Sequence, residues 1–276
     1  MKLAVLKNIM VQALKPRRFA VMIGKVFERV AERHGKTSNP DYMEWIRCNL
    51  SDFAALAQTL DSSLWQESVA RSREIELSAR KTLKLIPHDL GGGGVYPFLH
   101  FLVRYIKPRN IVETGVAAGF SSFAFLDALE MNGSGRLYSS DFPYFRLPHP
   151  EQYIGILVPA ELRGRWHLHI DGDQRNLAQI ALELNGAIDL FHYDSDKSYI
   201  GRKRAMSAIE PRLDEDALVI MDDIQDNSFF REYVFAHARG KPYRVFEFEG
   251  KFVGMIGEPV RRVAVSSQAG ACRGSA

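Results

Sequence analysis

Between Asn110 and Met221 the chain alternates short β-rich runs with helical stretches, and no other feature restricts its fold as tightly. The runs are Asn110–Thr114, Arg136–Ser140, 166–170, Ile188–Tyr193 and 217–221. Helical patterns fill the gaps, over 121–131, around 151–162, and over 176–184 and 200–213. Strands that alternate with helices in this way form a parallel sheet covered on both faces. The last two runs, Tyr243–Phe248 and Lys251–Ile256, are joined only by Glu249-Gly250. So short a link makes a tight hairpin, and its strands must be antiparallel. The expected fold is therefore α/β: a doubly wound, seven-stranded, mostly parallel sheet with a C-terminal antiparallel hairpin, preceded by a helical segment.

At 276 residues the chain is long enough for one such core, placed at 88–257, with an N-terminal helical region over 1–87 and a Ser/Ala/Gly/Arg-rich tail over 258–276. In the N-terminal region Val5, Ile9, Val11 and Leu14 recur at helical spacing, as do Phe19, Ile23, Val26, Phe27 and Val30. Further helices are expected after Pro40 and after Asp52, with a long amphipathic one over 62–85. Residues 1–36 carry nine Lys and Arg against Glu28 and Glu32, which suits weak contact with a membrane surface or a solvated basic face. The net charge of +3 is too mild to imply a nucleic-acid partner. Two cysteines, Cys48 and Cys272, in unrelated contexts argue against a disulfide framework. Lys7 interrupts the first apolar run, and no apolar run approaches the length of a membrane span, so a cytoplasmic location is expected. Association into a homo-oligomer is compatible with this composition.

The most informative stretch runs from Ile111 through Glu113, Thr114, Gly115, Gly119 and Phe120 to Ser121 and Ser122. It reads as strand, glycine turn and helix start. Glycine permits unusual backbone dihedrals and close approach of a ligand, and the free N–H groups of the following helix face the turn. The spacing is E-x-G-x-x-x-G, not the G-x-G-x-x-G that serves a pyrophosphate. Asp141 ends the second run, 22 residues after Gly119. A carboxylate there can accept hydrogen bonds from ribose hydroxyls.

This stretch resembles the first motif of class I S-adenosylmethionine-dependent methyltransferases, and the terminal hairpin matches that fold as well. The resemblance covers roughly 88–257. It implies that Glu113, Gly115, Gly119 and Ser121 surround the amino-acid part of S-adenosylmethionine, that Asp141 holds its ribose, and that Asp173 and Gln174 flank its adenine.

The fourth run leads into Tyr193-Asp194-Ser195-Asp196-Lys197, and the fifth into Met221-Asp222-Asp223. Neighbouring strands lie about 4.8 Å apart, so Asp194, Asp222 and Asp223 should crowd into one volume at the ligand-binding edge of the sheet. Three close carboxylates need a compensating cation or protons. Oxygen-only ligands favour Mg²⁺ or another hard divalent cation, and such an ion would activate and position a substrate hydroxyl. The pattern is similar to that of metal-dependent small-molecule O-methyltransferases of the catechol and macrolide-sugar types, with D-x-x-K at Asp194–Lys197 and D-D at Asp222-Asp223. That resemblance makes Lys197 the general base in the catechol-type reading and Asp196 in the sugar-type one. His192, inside a strand covered on both faces, is either a packed histidine or a base.

The leading expectation is therefore metal-assisted O-methylation of a hydroxylated small molecule, a sugar or a phenol. The alternatives are a metal-independent methyltransferase using His192 or Asp196, a non-catalytic binding protein on the same fold, and a hydroxylase-like tailoring protein. The Gly91-Gly92-Gly93-Gly94 loop reads as a lid or a linker. Asp226 to Phe230 reads as acceptor-pocket lining or a polar helix cap.

Overall fold

The computed structural model describes residues 3–15, 18–19, 21–24, 40–238 and 240–261. Its sheet contains the seven expected strands: β2 (Asn110–Thr114), β3 (Arg136–Ser140), β4 (Trp166–His169), β5 (Ile188–Tyr193), β6 (Leu213–Met221), β7 (Tyr243–Phe248) and β8 (Lys251–Ile256). An eighth, β1 (Leu50–Ser51), is added at the edge and comes from the N-terminal region. The order is β1-β7-β8-β6-β5-β2-β3-β4. Strands β2 to β6 run parallel, and β8 lies antiparallel to both β6 and β7. Strand order reverses between β2 and β5. Such a reversal opens a crevice beyond the C-terminal ends of those two strands.

Period-two alternation feeds two apolar layers. Ile111, Leu190, Leu218 and Ile220 point to one face, under α3 (Phe53–Leu83), α4 (Tyr96–Ile106) and α5 (Phe120–Asn132). Val112, Phe191, Tyr193, Val219 and Met221 point to the other. There they meet α2 (Pro40–Cys48), α6 (Asp173–Glu183), α7 (Tyr199–Ile209) and α8 (Phe229–His237). Helix α1 (Leu3–Ala13) precedes them in the chain. The same alternation puts Glu113 and His192, register partners in adjacent strands, on the α5 side.

The N-terminal region is part of this core: Ala57, Trp65 and Ile75 of α3 join the layer above the sheet. Asp52 caps α3 by accepting hydrogen bonds from the Ala54 and Ala55 N–H groups. The helix kinks at Asp61, whose φ of −163° is not helical and whose carboxylate caps Leu64. The helix expected around 151–162 is replaced by two 3-10 turns, Pro150–Tyr153 and Ala160–Arg165. Gly155 breaks it at φ +63°, where a Cβ would collide with the Trp166 indole. Pro159 then starts the second turn. Residues 25–39, which include Val26, Phe27 and Val30, lie outside the described residues. So do Cys272 and the rest of the expected tail beyond Arg261, which pairs with Asp61 at 2.7 Å.

One buried polar cluster fastens α3, α4 and α5 together. His100 contacts Ser68 Oγ at 3.0 Å and Asp127 Oδ2 at 3.2 Å, while Arg71 grips both oxygens of Asp127 at 2.7 and 2.9 Å. Burial alone would raise the Asp127 pKa, but His100 and Arg71 outweigh it and hold the carboxyl at about 2. A pKa depressed on folding stabilises the native state above the unfolded value of about 4, and that stabilisation is lost as pH falls towards 2. Asp127→Ala should lower unfolding free energy by about 3 kcal/mol in urea titrations at pH 7. The difference from wild type should shrink below about pH 4. Equal stability of the two chains at pH 7 would refute this role.

Candidate active site

The site is built on the ends of β2, β3, β5 and β6. Glu113, the fourth residue of β2, is fully buried. Its carboxylate accepts hydrogen bonds from Ser121 Oγ (2.5 Å), Ser122 Oγ (2.6 Å) and Ser139 Oγ (2.9 Å). These three donors come from the first turn of α5 and from β3, so one carboxylate pins strand, helix and neighbouring strand beneath the turn. Glu113 and Ser121, both expected at the cofactor, are thus brought together but face each other.

Above this knot the chain turns at Gly115 (φ +84°) and Gly119 (φ +100°). A Cβ on Gly115 would run into the backbone carbonyl of Asp194, so only glycine lets β2 and β5 turn off side by side here. Gly119 caps α5 in the left-handed region and abuts Gly155. Asp141 leans over the turn: Oδ2 accepts from Ala117 N–H at 2.7 Å, and Oδ1 from Phe142 N–H at 2.6 Å. Asp173, at the start of α6, accepts from Ser140 Oγ (2.6 Å) and Ser195 Oγ (2.5 Å), joining the ends of β3 and β5. Gln174 beside it is exposed.

The carboxylates expected after β5 and β6 do converge, and the cation among them is Lys197. Its ammonium contacts Asp194 Oδ1 and lies 3.1 Å from Asp223 Oδ2. Burial pulls the Lys197 pKa down, but Asp194, Asp222 and Asp223 outweigh it, so the amine is held protonated. Burial and the charge of Asp222 push Asp194 up to about 6, against the pull of Lys197. Burial would raise Asp222 too, yet His192 and Lys197 bring it below the ordinary range. The two carboxylates are thus split in acidity. Asp223 sits at φ +54°, a conformation unusual for a side chain with a Cβ. Among the described residues no three His, Cys, Asp or Glu side chains meet in metal-binding geometry. Asp222 Oδ1 is nevertheless buried without a hydrogen-bond partner.

His192 is buried against the Phe125 ring. Its Nε2 lies 3.6 Å from Asp222 and its Nδ1 lies 3.9 Å from Glu113, too far for hydrogen bonds. Burial lowers its pKa, but Asp222, Asp194 and Glu113 raise it further. It is a charge partner beneath the floor of the site. Asp196 accepts from Ser198 N–H at 3.0 Å and so helps begin α7.

Several contributors carried no signal in the sequence. Arg202 of α7 is buried under the Tyr193 ring and donates to the backbone carbonyls of Asp222 (2.9 Å) and Asp223 (2.8 Å), fixing the turn that bears both carboxylates. Asn176 donates to Ser140 Oγ and to the carbonyls of Asp141 and His169. Tyr96 stacks on Phe120 at the mouth of the turn, with centroids 5.2 Å apart, and the four-glycine loop packs on this pair. Asn227 accepts from the Phe229 N–H at the start of α8 and donates to the Lys197 carbonyl at 2.7 Å. Phe229 and Phe230 are buried in the core.

Residues 112–224 match the family described as a methyltransferase domain. The matched stretch contains Glu113, the glycine turn, Asp141, Asp173 and the carboxylate cluster with Lys197. No curated protein matches the chain. Among solved structures, the chain is similar to the O-methyltransferase TomG from Streptomyces achromogenes, involved in tomaymycin synthesis and solved with S-adenosylmethionine. Identity is 15%, the TM-score is 0.51, and the match covers 66% of this chain and 88% of TomG. It is also similar to a Podospora anserina methyltransferase bound to S-adenosylhomocysteine, with 14% identity, a TM-score of 0.50, and coverage of 66% and 86%. At such identities the structures establish the fold. With the strand order, they show that the chain has the Rossmann-like fold of class I methyltransferases.

Lys197 is the charge on which the cluster depends. Replacing it by Met removes the cation that Asp194 and Asp223 share, a loss of about 2 kcal/mol after allowance for partial exposure. In a thermal-shift assay Lys197→Met should melt several degrees lower at pH 7.5. The deficit should narrow towards pH 5, as Asp194 protonates. An unchanged melting temperature at pH 7.5 would show that the ammonium is not the compensating charge.

Proposed function

We propose that the protein is an S-adenosylmethionine-dependent methyltransferase that methylates a hydroxyl group of a small molecule. The observation that carries this reading is the contact between two features: the glycine turn at Gly115 lies directly against Asp194, the first residue of the acid–base cluster. A donor lying on the turn and an acceptor at the cluster would be neighbours.

The residues fit the cofactor. Asp141 stands over the turn where the ribose would lie, Asp173 and exposed Gln174 border the adenine side, and the N-terminus of α5 follows the turn, where the N–H groups of a helix start can meet a carboxylate. Bound there, S-adenosylmethionine supplies an already activated methyl group. The protein's part is to hold the hydroxyl in line and to manage its proton. Lys197, kept protonated by its three neighbours, stabilises a developing alkoxide and is poorly suited to accept its proton. Asp194 and Asp196 are the carboxylates at the strand end available for that task.

The fit to Mg²⁺ is poorer. The three carboxylates have the right chemistry for a hard divalent ion, and the partnerless Asp222 Oδ1 suits one. Lys197, however, already takes up Asp194 and Asp223, and an ion held by Asp194, Asp222 and Asp223 would have to displace that ammonium. The metal-independent reading follows from this pairing.

Incubation with S-adenosylmethionine and a panel of phenols and sugars should yield products heavier by one CH₂ in mass spectrometry. Turnover should survive thorough chelation and fall at least about 100-fold in Asp194→Ala. Loss of turnover on chelation, restored by Mg²⁺, would favour the metal-assisted mechanism. A product heavier by one oxygen would mark a hydroxylase, and absence of binding to S-adenosylhomocysteine would mark a non-catalytic relative.

A further inference from the structure

Helix α1 is mounted with its polar side towards the protein. Asn8 donates to the Arg146 carbonyl at 3.1 Å, and Gln12 is 5% exposed and hydrogen-bonded to Arg18. Lys15 and Arg18 both reach Glu151, at 3.0 and 2.6 Å. Positions 8 and 12 are on one face of the helix, and Lys15 and Arg18 follow just beyond its end. The opposite face, at positions 7, 10, 11 and 14, points outward. On it Met10 is 62% exposed, Val11 48% and Leu14 81%. Phe19 and Ile23, further along, are exposed as well. A soluble surface helix normally has the reverse polarity, and a clustered apolar ridge marks a contact surface.

The charge carried by this segment of the sequence selects the partner of the ridge. Lys7 shares the outward face and is exposed. Apart from Lys15 and Arg18, which Glu151 engages, residues 1–36 hold seven further Lys and Arg against Glu28 and Glu32. A second copy of this chain would bring the same cationic segment against itself. A nucleic acid would meet the cations but leave Met10 and Leu14 in water. An anionic bilayer satisfies both requirements, apolar side chains at the acyl boundary and cations among the headgroups. Eleven helical residues span about 16 Å, half a hydrocarbon core, so the helix cannot cross. Among the described residues no helix is long and apolar enough to do so.

We propose that α1 lies in the plane of an anionic lipid surface and docks the protein there through Met10, Val11 and Leu14. The helix is fastened to the 3-10 turn at Pro150–Tyr153 through Glu151, and Val21 packs on Gly172 beside Asp173. Docking would therefore bring the ligand-binding edge of the sheet close to the membrane.

The full chain should co-sediment with phosphatidylcholine vesicles containing one third phosphatidylglycerol, and not with phosphatidylcholine alone. Binding should weaken at high salt. A Met10→Glu, Leu14→Glu double variant changes only exposed side chains and should keep the wild-type melting temperature. Its vesicle partitioning should fall roughly tenfold or more. Wild-type protein left in the supernatant, or a double variant that binds equally well, would overturn the proposal. So would a wild-type dimer in sedimentation velocity that dissociates in the double variant, because the ridge would then belong to a second copy.

Discussion

Beneath the glycine turn, the carboxylate of Glu113 is wholly removed from water and held by the hydroxyls of Ser121, Ser122 and Ser139. Burying an anion is costly unless donors surround it. Here the donors come from two other elements, so satisfying the charge also sets how β2, α5 and β3 meet. Gly115 and Gly119 must then make the turn within the space that remains. Helix α5 therefore begins directly after the turn, with Gly119 as its first cap residue. The shape of the proposed cofactor site thus follows from a buried interaction that no ligand would touch.

The second half of the site rests on charge balance. Asp194, Asp222 and Asp223 arrive together because parallel strands β5 and β6 end side by side. Their repulsion is relieved from above by Lys197 and from below by His192, while Arg202 holds the turn by its carbonyls. The environments push Asp194 and Asp222 in opposite directions, as expected where one of two neighbouring carboxylates is shielded by cations and the other is desolvated. A cluster neutralised internally has less need of a divalent ion, which is why the pairing of Lys197 bears so directly on mechanism.

Most of the sheet was legible because each strand is a short apolar run bounded by turn residues, and β7 and β8 announce themselves through Glu249-Gly250, both at positive φ. Strand β1 carried no signal: two exposed residues, Leu50 and Ser51, pair with β7 only because α2 and α3 deliver them there. The apolar spacing of Tyr153, Ile154, Leu157 and Val158 was real, and all four are buried. Local backbone constraints at Gly155 and Pro159 prevented a continuous helix. The site residues were legible by type and position at strand ends. Their partners were not, since nothing in the sequence shows that Glu113 turns inward to three serines, or that Lys197 folds back onto Asp194. Arg202 was invisible for a related reason: in the polar run Gly201-Arg202-Lys203-Arg204, spacing does not say which arginine points inward.

The central claim is that the turn held by Glu113 receives the nucleoside of S-adenosylmethionine. A crystal structure with S-adenosylhomocysteine tests it most directly. The ligand should lie along Gly115 to Gly119, with ribose hydroxyls bonded to Asp141 and the sulfur facing Asp194. Ligand bound elsewhere, or an empty turn at saturating concentration, would contradict it.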